Sequence, residues 1–265
     1  MLGNYIFKYL SKYYDVYGVT RDQIDFADSG SMPEKFQGMY ALSDEDLVVN
    51  CVGTIKPRCD QLGPINAISI NSILPHILAN DSTKRGYKLI HPTTDCIYSG
   101  KTGNYTEESS MDVTDIYGVS KYMGENENST NLRVSIIGEE INNKRSLVEW
   151  CKTLEGKCAN GFTDHHWNGV TCLTYAKIIN KMITENIWWK GTRHALSPKA
   201  INKYDLVKLI TDTFKIKVNL KSVDSGSTCN RTLQTKHFEN SRFKVPELQE
   251  QIEEMKEFSN LLHSR

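Results

Sequence analysis

The chain has 265 residues, in which 32 lysines and arginines are balanced by 32 aspartates and glutamates. Neither sign forms a long block, so the sequence carries no electrostatic footprint for nucleic acid or for an anionic membrane surface, and a small neutral or anionic partner is expected instead. No apolar run approaches the ~20 residues that span a bilayer, and the first residues lack a signal-peptide layout, so no membrane attachment and a cytoplasmic location are expected.

In chain order, Leu2, Ile6, Leu10 and Tyr13 recur at helical spacing directly after Met1. Residues 16–20 (VYGVT) are short, β-branched and flanked by Asp15 and Arg21, the pattern of a buried parallel strand. Residues 22–43 are polar, with Gly30, Pro33 and Gly38, and are expected to hold a short strand and a short helix. Residues 46–53 (DLVVNCVG) read as a buried strand ending in a glycine turn, where backbone can approach a ligand. A helix is expected over 64–80, with Ile65, Ile68, Ile70, Leu74 and Leu78 on or near one face and a kink at Pro75.

The stretch 86–125 is the most informative. It leads from a short strand (GYKLI) through Thr93, Thr94 and Asp95 and a turn-rich loop into a helix bearing Tyr117 and Lys121, four residues apart on one face. A free tyrosine ionises near pH ~10. An ammonium one turn away favours the phenolate, so the spacing predicts an acid–base tyrosine with a lowered pKa. Residues 131–138 (NLRVSIIG) read as another buried strand, and strands alternating with helices predict a parallel sheet covered on both faces.

Beyond Gly138, helices are expected over 146–154, 174–185, 203–214 and 247–262, a strand over 217–220 and a polar loop over 156–168. There are no internal repeats. The seven cysteines, an odd number with no paired C-x-x-C cluster, read as reduced thiols. His91, His165 and His166 are not at metal-ligand spacing with any cysteine or acid, so no metal is expected.

Thr94-Asp95, Tyr117-x-x-x-Lys121, Asn71 on the preceding helix and Leu132-Arg133-x-Ser135-x-x-Gly138 together resemble an extended short-chain dehydrogenase/reductase. Within that superfamily, TTDCIYSGKTGNYTEES, TDIYGVSKYMGE and LRVSIIG are similar to the dTDP-4-dehydrorhamnose reductase group of sugar-nucleotide reductases, and matching segments extend over nearly the whole chain. The resemblance implies an α/β fold, a Rossmann-type doubly wound parallel sheet with a smaller C-terminal substrate-binding lobe. Residues 1–138 would form the NADP-binding part and 139–265 mainly the substrate lobe, partly interleaved with the sheet. The implied activity is NADPH-dependent reduction of the 4-keto group of a nucleotide-linked 4-keto-6-deoxyhexose in polysaccharide precursor synthesis, with NADH as the alternative cofactor. A homodimer is compatible with it.

The resemblance also assigns roles. Tyr117 would protonate the oxyanion at carbon 4, Lys121 would lower the tyrosine pKa and bond the nicotinamide ribose, and Thr94 would orient the carbonyl. Gly3, Cys51, Val52, Gly53 and Asn71 would join Tyr117 and Lys121 along the cofactor, and Arg21 would accommodate a 2′-phosphate. Thr94, Asp95, Trp167, Asn168, Thr171 and Arg231 would face the sugar nucleotide, Asp95 as a helper and Arg231 toward the diphosphate. Met1-Leu2-Gly3 is similar to the tail of the dinucleotide fingerprint, without the preceding strand and first two glycines: either the start is placed at an internal methionine or the strand is lost, and the chain as given is expected to bind cofactor more weakly. An epimerase of the same superfamily and a non-catalytic subunit similar to the regulatory subunit of methionine adenosyltransferase stay open as alternatives.

Overall fold

The computed structural model describes residues 1–25, 41–142 and 144–263. Its elements in chain order begin with helix α1 (Leu2–Leu10), strand β1 (Leu47–Val49), helix α2 (Lys56–Ile68), a π-helical turn (Ser69–Ile73), helix α3 (Leu74–Arg85), strand β2 (Lys88–Thr94) and helix α4 (Ile116–Met123). Strands β3 (Thr130–Val134) and β4 (Ile136–Ile137), helix α5 (Leu147–Lys152), strands β5 (Cys158–Phe162), β6 (His165–Trp167) and β7 (Val170–Thr171), helix α6 (Cys172–Thr184) and strand β8 (Gly191–His194) follow. The chain ends with strand β9 (Ile201–Asn202), helix α7 (Lys203–Phe214), strands β10 (Asn219–Val223) and β11 (Cys229–Asn230), and helix α8 (Leu248–His263).

The main sheet has the order β1-β2-β3-β8, and every pairing in it is parallel. Because successive side chains of a strand point to opposite faces, Leu89 and Ile90 on β2 enter different cores. Leu89 packs with Leu74, Leu78 and Ala79 of α3. Ile90 packs with Ile6 and Leu10 of α1 and with Ile178, Ile179 and Met182 of α6. Helices therefore cover both faces, as the alternating pattern predicts for a Rossmann-type sheet. A third cluster joins Tyr5 of α1 to Leu206 and Ile210 of α7 and Ile252 and Met255 of α8, beneath the small sheets of the C-terminal half.

Several elements depart from the pattern-based reading. Residues 16–20 pair with no strand among the described residues, and Tyr17 there is 77% exposed. A β-branched run becomes a strand only when a neighbouring backbone completes its hydrogen bonds, and among the described residues β1 is bonded only to β2. The strand and helix expected within 22–43 fall largely outside the described residues. The predicted loop 156–168 instead holds β5 and β6: β5 pairs in parallel with β10, and β6 lies between β11 and β9. The strand expected at 217–220 is displaced to Asn219–Val223.

The helix expected over 64–80 is longer and interrupted. Gly63, at φ +78°, and Pro64 break α2, and the π-helical turn lies ahead of Pro75, which takes a first-turn position of α3 where its missing N–H is harmless. Ile65 is 80% exposed rather than core-facing because the Gly63 break rotates it out of register. The run Lys56–Arg85 is long and apolar enough to reach across a bilayer, but half of its apolar window is buried inside the protein, so it reads as a core helix.

One buried network ties the end of α4 to the sheet. Arg133 on β3 binds Glu125 twice, from Nε to Oε1 at 2.9 Å and from Nη2 to Oε2 at 2.5 Å, with both side chains under 10% exposed. Its Nη1 donates to the Tyr98 hydroxyl at 2.6 Å and to His194 Nε2 at 2.9 Å. His194 Nδ1 must donate, because its partner is the Gln234 carbonyl at 2.6 Å, so the ring is neutral; burial, followed by the Arg133 charge, lowers its pKa to about 4. Removing one partner of a buried pair strands the other charge, at a cost of about 3–5 kcal/mol. Glu125→Ala should lose stability in that range by denaturant unfolding, and a loss below about 1 kcal/mol would show that water reaches Arg133 after all.

Candidate active site

The site forms where β2 ends and α4 begins. Asp115, two residues before Tyr117, caps α4 by accepting from the Gly118 N–H at 3.2 Å. Two glycines let this short helix sit down on its neighbours. A Cβ at Gly118 would lie 2.8 Å from the Cys96 carbonyl oxygen, and one at Gly124 only 2.0 Å from the Asn71 carbonyl oxygen. The sequence Y-G-V-S-K-Y-M-G is thus a helix whose ends touch backbone from two other elements.

Lys121 is buried, 7% exposed, and its ammonium donates to the Pro92 carbonyl of β2 at 3.0 Å. Burial lowers its pKa to about 8, with Glu125 and then Cys51 acting in the opposite sense. Tyr117 is half-buried one turn earlier. Its phenol does not have the lowered pKa that the spacing predicts: burial, and then the nearby Cys96, raise it, while the Thr94 hydroxyl lowers it. The physical reason is that the same desolvation that surrounds the ammonium also disfavours a phenolate, and the ammonium is turned to Pro92.

Asn71 holds the opposite wall. Its Oδ1 accepts from the Thr54 N–H at 2.9 Å, and its Nδ2 donates to the Thr54 carbonyl and to Ser120 Oγ, each at 3.1 Å. Its amide is therefore spent on positioning the loop after β1. That loop brings Gly53 against the helix: a Cβ there would lie 3.5 Å from Asn71 Oδ1 and 3.8 Å from Lys121 Nζ. Gly53, Cys51 and Val52 line a cavity of about 440 Å³, together with Arg21. Gly3 supports the same loop from behind, where a Cβ would meet Cys51 Cβ at 3.2 Å.

On the other side of Tyr117, Thr94 Oγ1 accepts from the Cys96 N–H at 3.1 Å and approaches Asp95 Oδ1 at 3.4 Å. Arg231 donates from Nε to the Tyr98 carbonyl at 2.9 Å and lies near Cys96, with Nη1 3.9 Å from Sγ. The expected site residues Thr94, Asp95, Tyr117, Lys121, Gly53 and Arg231 are thus brought together. Others are placed elsewhere. Asn168 is buried, with its amide bonded to the Leu233 carbonyl and N–H at 2.8 Å each. Thr171 is fully buried as the cap of α6, accepting from the Thr174 N–H at 3.1 Å. Trp167 packs against the core beneath the small sheets, and a Cβ at Gly169 would strike its ring. Among the further residues lining the cavity that the motifs did not single out are Thr54, Arg58 and Arg145. Thr54 follows a recognised glycine and was within reach of the sequence, whereas nothing local marks Arg145, nearly a hundred residues from the loop it faces.

Across residues 1–264 the sequence matches the family described as RmlD substrate binding domain. The chain belongs to that family. It is 34% identical over 114 residues to the spore coat polysaccharide biosynthesis protein SpsK of Bacillus subtilis, covering 42% of this chain and 38% of that one. It is 25% identical over 202 residues to the probable low-salt glycan biosynthesis reductase Agl14 of Haloferax volcanii, covering 72% of this chain and 65% of that one. The matches thus span less than two thirds of these curated relatives' own lengths. Among solved structures, a dTDP-4-dehydrorhamnose reductase from Bacillus anthracis, in complex with NADP, aligns with a TM-score of 0.79 at 21% identity over 96% of this chain and 94% of that one. The fold is that of the extended short-chain dehydrogenases/reductases.

Asp95 gives the site a pH signature. It is 3% exposed, and burial raises its pKa to about 6 against the pull of Arg231. A carboxyl whose folded pKa exceeds the unfolded ~3.9 binds protons more tightly in the folded state. Its contribution therefore weakens stability as pH rises from ~4 through ~6. Asp95→Asn should accordingly raise stability at pH 7 by about 1–3 kcal/mol, with the gain vanishing below about pH 4. A variant less stable than wild type at pH 7 would mean that the attraction of the Arg231 charge outweighs desolvation.

Proposed function

We propose that this protein reduces the 4-keto group of a nucleotide-linked 4-keto-6-deoxyhexose with NADPH, as a step in making polysaccharide precursors. Supporting the reading most directly is Tyr117 beside the Thr94 hydroxyl and one helical turn before the buried Lys121, with Lys121 set against the cavity-lining Gly53. The relatives named for polysaccharide and glycan biosynthesis, one of them a reductase, point the same way.

The residues fit a dinucleotide on two counts. At Gly53 the bare backbone leaves the approach to the Lys121 ammonium unscreened by a side chain, and the buried Thr54 hydroxyl has no hydrogen-bond partner among the described residues. When bound, NADPH supplies the hydride. Residues 1–138 would hold it along Cys51, Val52 and Gly53, with Arg21 reading the 2′-phosphate, and residues 139–265 would hold the sugar nucleotide.

The chain's own groups then act as follows. Thr94 donates a hydrogen bond to the keto oxygen and fixes its orientation beside Tyr117. The raised pKa of Tyr117 keeps the phenol protonated throughout the neutral range, which is the form a reductase needs, because the phenol gives its proton to the oxyanion as charge develops there. Lys121, cationic below about pH 8, stabilises the phenolate left behind and bonds a hydroxyl of the bound ribose. Asp95 and Arg231 flank the sugar side.

Tyr117→Phe should cut NADPH oxidation in the presence of dTDP- or UDP-linked 4-keto-6-deoxy sugars at least ~100-fold while leaving cofactor affinity nearly unchanged. Lys121→Met should lower both. Full activity in the Phe variant would remove Tyr117 from the chemistry. Wild-type protein that interconverts the sugars without consuming NADPH would make it an epimerase, and binding without turnover would make it a regulatory subunit.

A further inference from the structure

Three arginines reach the cavity from separate parts of the chain. Arg21 follows the extended segment 16–20, Arg58 lies in the first turn of α2, and Arg145 lies just ahead of α5. All three are exposed, and among the described residues none of them forms an ion pair. Their neighbours differ in this respect: Lys56 is paired with Asp115 and Arg85 with Asp81. Of the two carboxylates on the cavity wall, Asp25 and Glu140, the latter accepts from the Arg145 and Ser146 N–H groups and so is turned to its own loop. Guanidinium groups that no carboxylate pairs with among the described residues suit a ligand that brings its own anionic oxygens.

Thr54 is a second, independent sign. It lines the cavity, it is 3% exposed, and its hydroxyl oxygen has no hydrogen-bond partner among the described residues. Leaving a buried hydroxyl unbonded is unfavourable, and an acceptor oxygen on a ligand relieves it.

We propose that Arg58 and Arg145 together grip the diphosphate of the dinucleotide, with the Thr54 hydroxyl donating to it. This rests on the reading that the cavity takes the cofactor, and it assigns two residues that the catalytic motifs do not contain. The pairing has a structural consequence. Arg58 opens the helix that leads to Asn71, and Arg145 opens the helix packed beneath the C-terminal half, so one diphosphate bridges the two halves of the chain.

Calorimetric titration of the full chain with NADPH and with NADH tests the proposal. Arg58→Gln and Arg145→Gln should each weaken both dinucleotides by about tenfold or more, the worth of a hydrogen bond to a charged group. Arg21→Ala should weaken NADPH alone. Lysine in place of either arginine should restore part of the affinity, and wild-type affinity for NADH should fall as salt rises. Circular dichroism checks that the variants are folded, and if one is not, the lysine variants and the salt dependence decide. Unchanged affinity in either glutamine variant, a loss confined to NADPH, salt-independent NADH binding, or wild-type protein that binds neither dinucleotide would each overturn the proposal. Arginine-dependent binding of both dinucleotides without turnover of any 4-keto sugar would leave the diphosphate grip standing and remove the reductase reading.

Discussion

The site depends on a single side-chain amide. Asn71 meets the N–H and the carbonyl of Thr54 at once, as a neighbouring peptide would, and with its remaining donor it holds Ser120 in the turn between Tyr117 and Lys121. Each such bond contributes only about 0.5–1.5 kcal/mol net. Their geometry matters more, because they fix three elements at one point: the loop after β1, the π-helical turn and α4. The π-helical turn carries Asn71 itself, and irregular turns of this kind within helices are frequent at functional sites. Gly124 completes the arrangement by letting the end of α4 touch the Asn71 carbonyl. Removing the amide would leave Thr54 with two buried peptide groups to satisfy elsewhere.

Around that clamp the protein manages two buried cations in different ways. Arg133 is neutralised by a bidentate carboxylate and surrounded by acceptors, which makes it a fixed strut between α4 and the sheet. Lys121 has one carbonyl and, among the described residues, no carboxylate in contact, so burial brings its pKa down to about 8 and leaves it poised. Tyr117 shares that desolvated setting. Its phenol is held protonated rather than ionised.

Much of this was legible in the sequence because the chemistry is local. Tyr117 and Lys121 are one helical turn apart and Gly53 ends a strand, which periodicity and glycine placement find, while Thr94 at the end of the adjoining strand is singled out by the family resemblance. The sign of the Tyr117 shift was not legible, since it depends on how deeply the residue is buried and where the lysine head turns. Asn168 and Thr171 are polar residues in a suggestive stretch, but one closes on the backbone of Leu233 and the other caps α6, contacts that a linear pattern does not encode. Strands β5 and β6 escaped notice for a related reason. Their residues carry no alternation of apolar and polar types, and they become strands only because β10, β9 and β11 return beside them. The converse holds at 16–20, where a good strand composition meets no partner among the described residues.

Asn71 presets one wall of the cavity, so that Gly53 faces Lys121 before any ligand arrives. A crystal structure of the protein with NADPH tests this most directly. The account predicts the nicotinamide ribose beside Gly53, within hydrogen-bond reach of Lys121 Nζ, and the Thr54 and Ser120 bonds to Asn71 intact. A ligand seated away from Gly53, or a loop at 51–55 pulled off Asn71 to admit it, would contradict the claim.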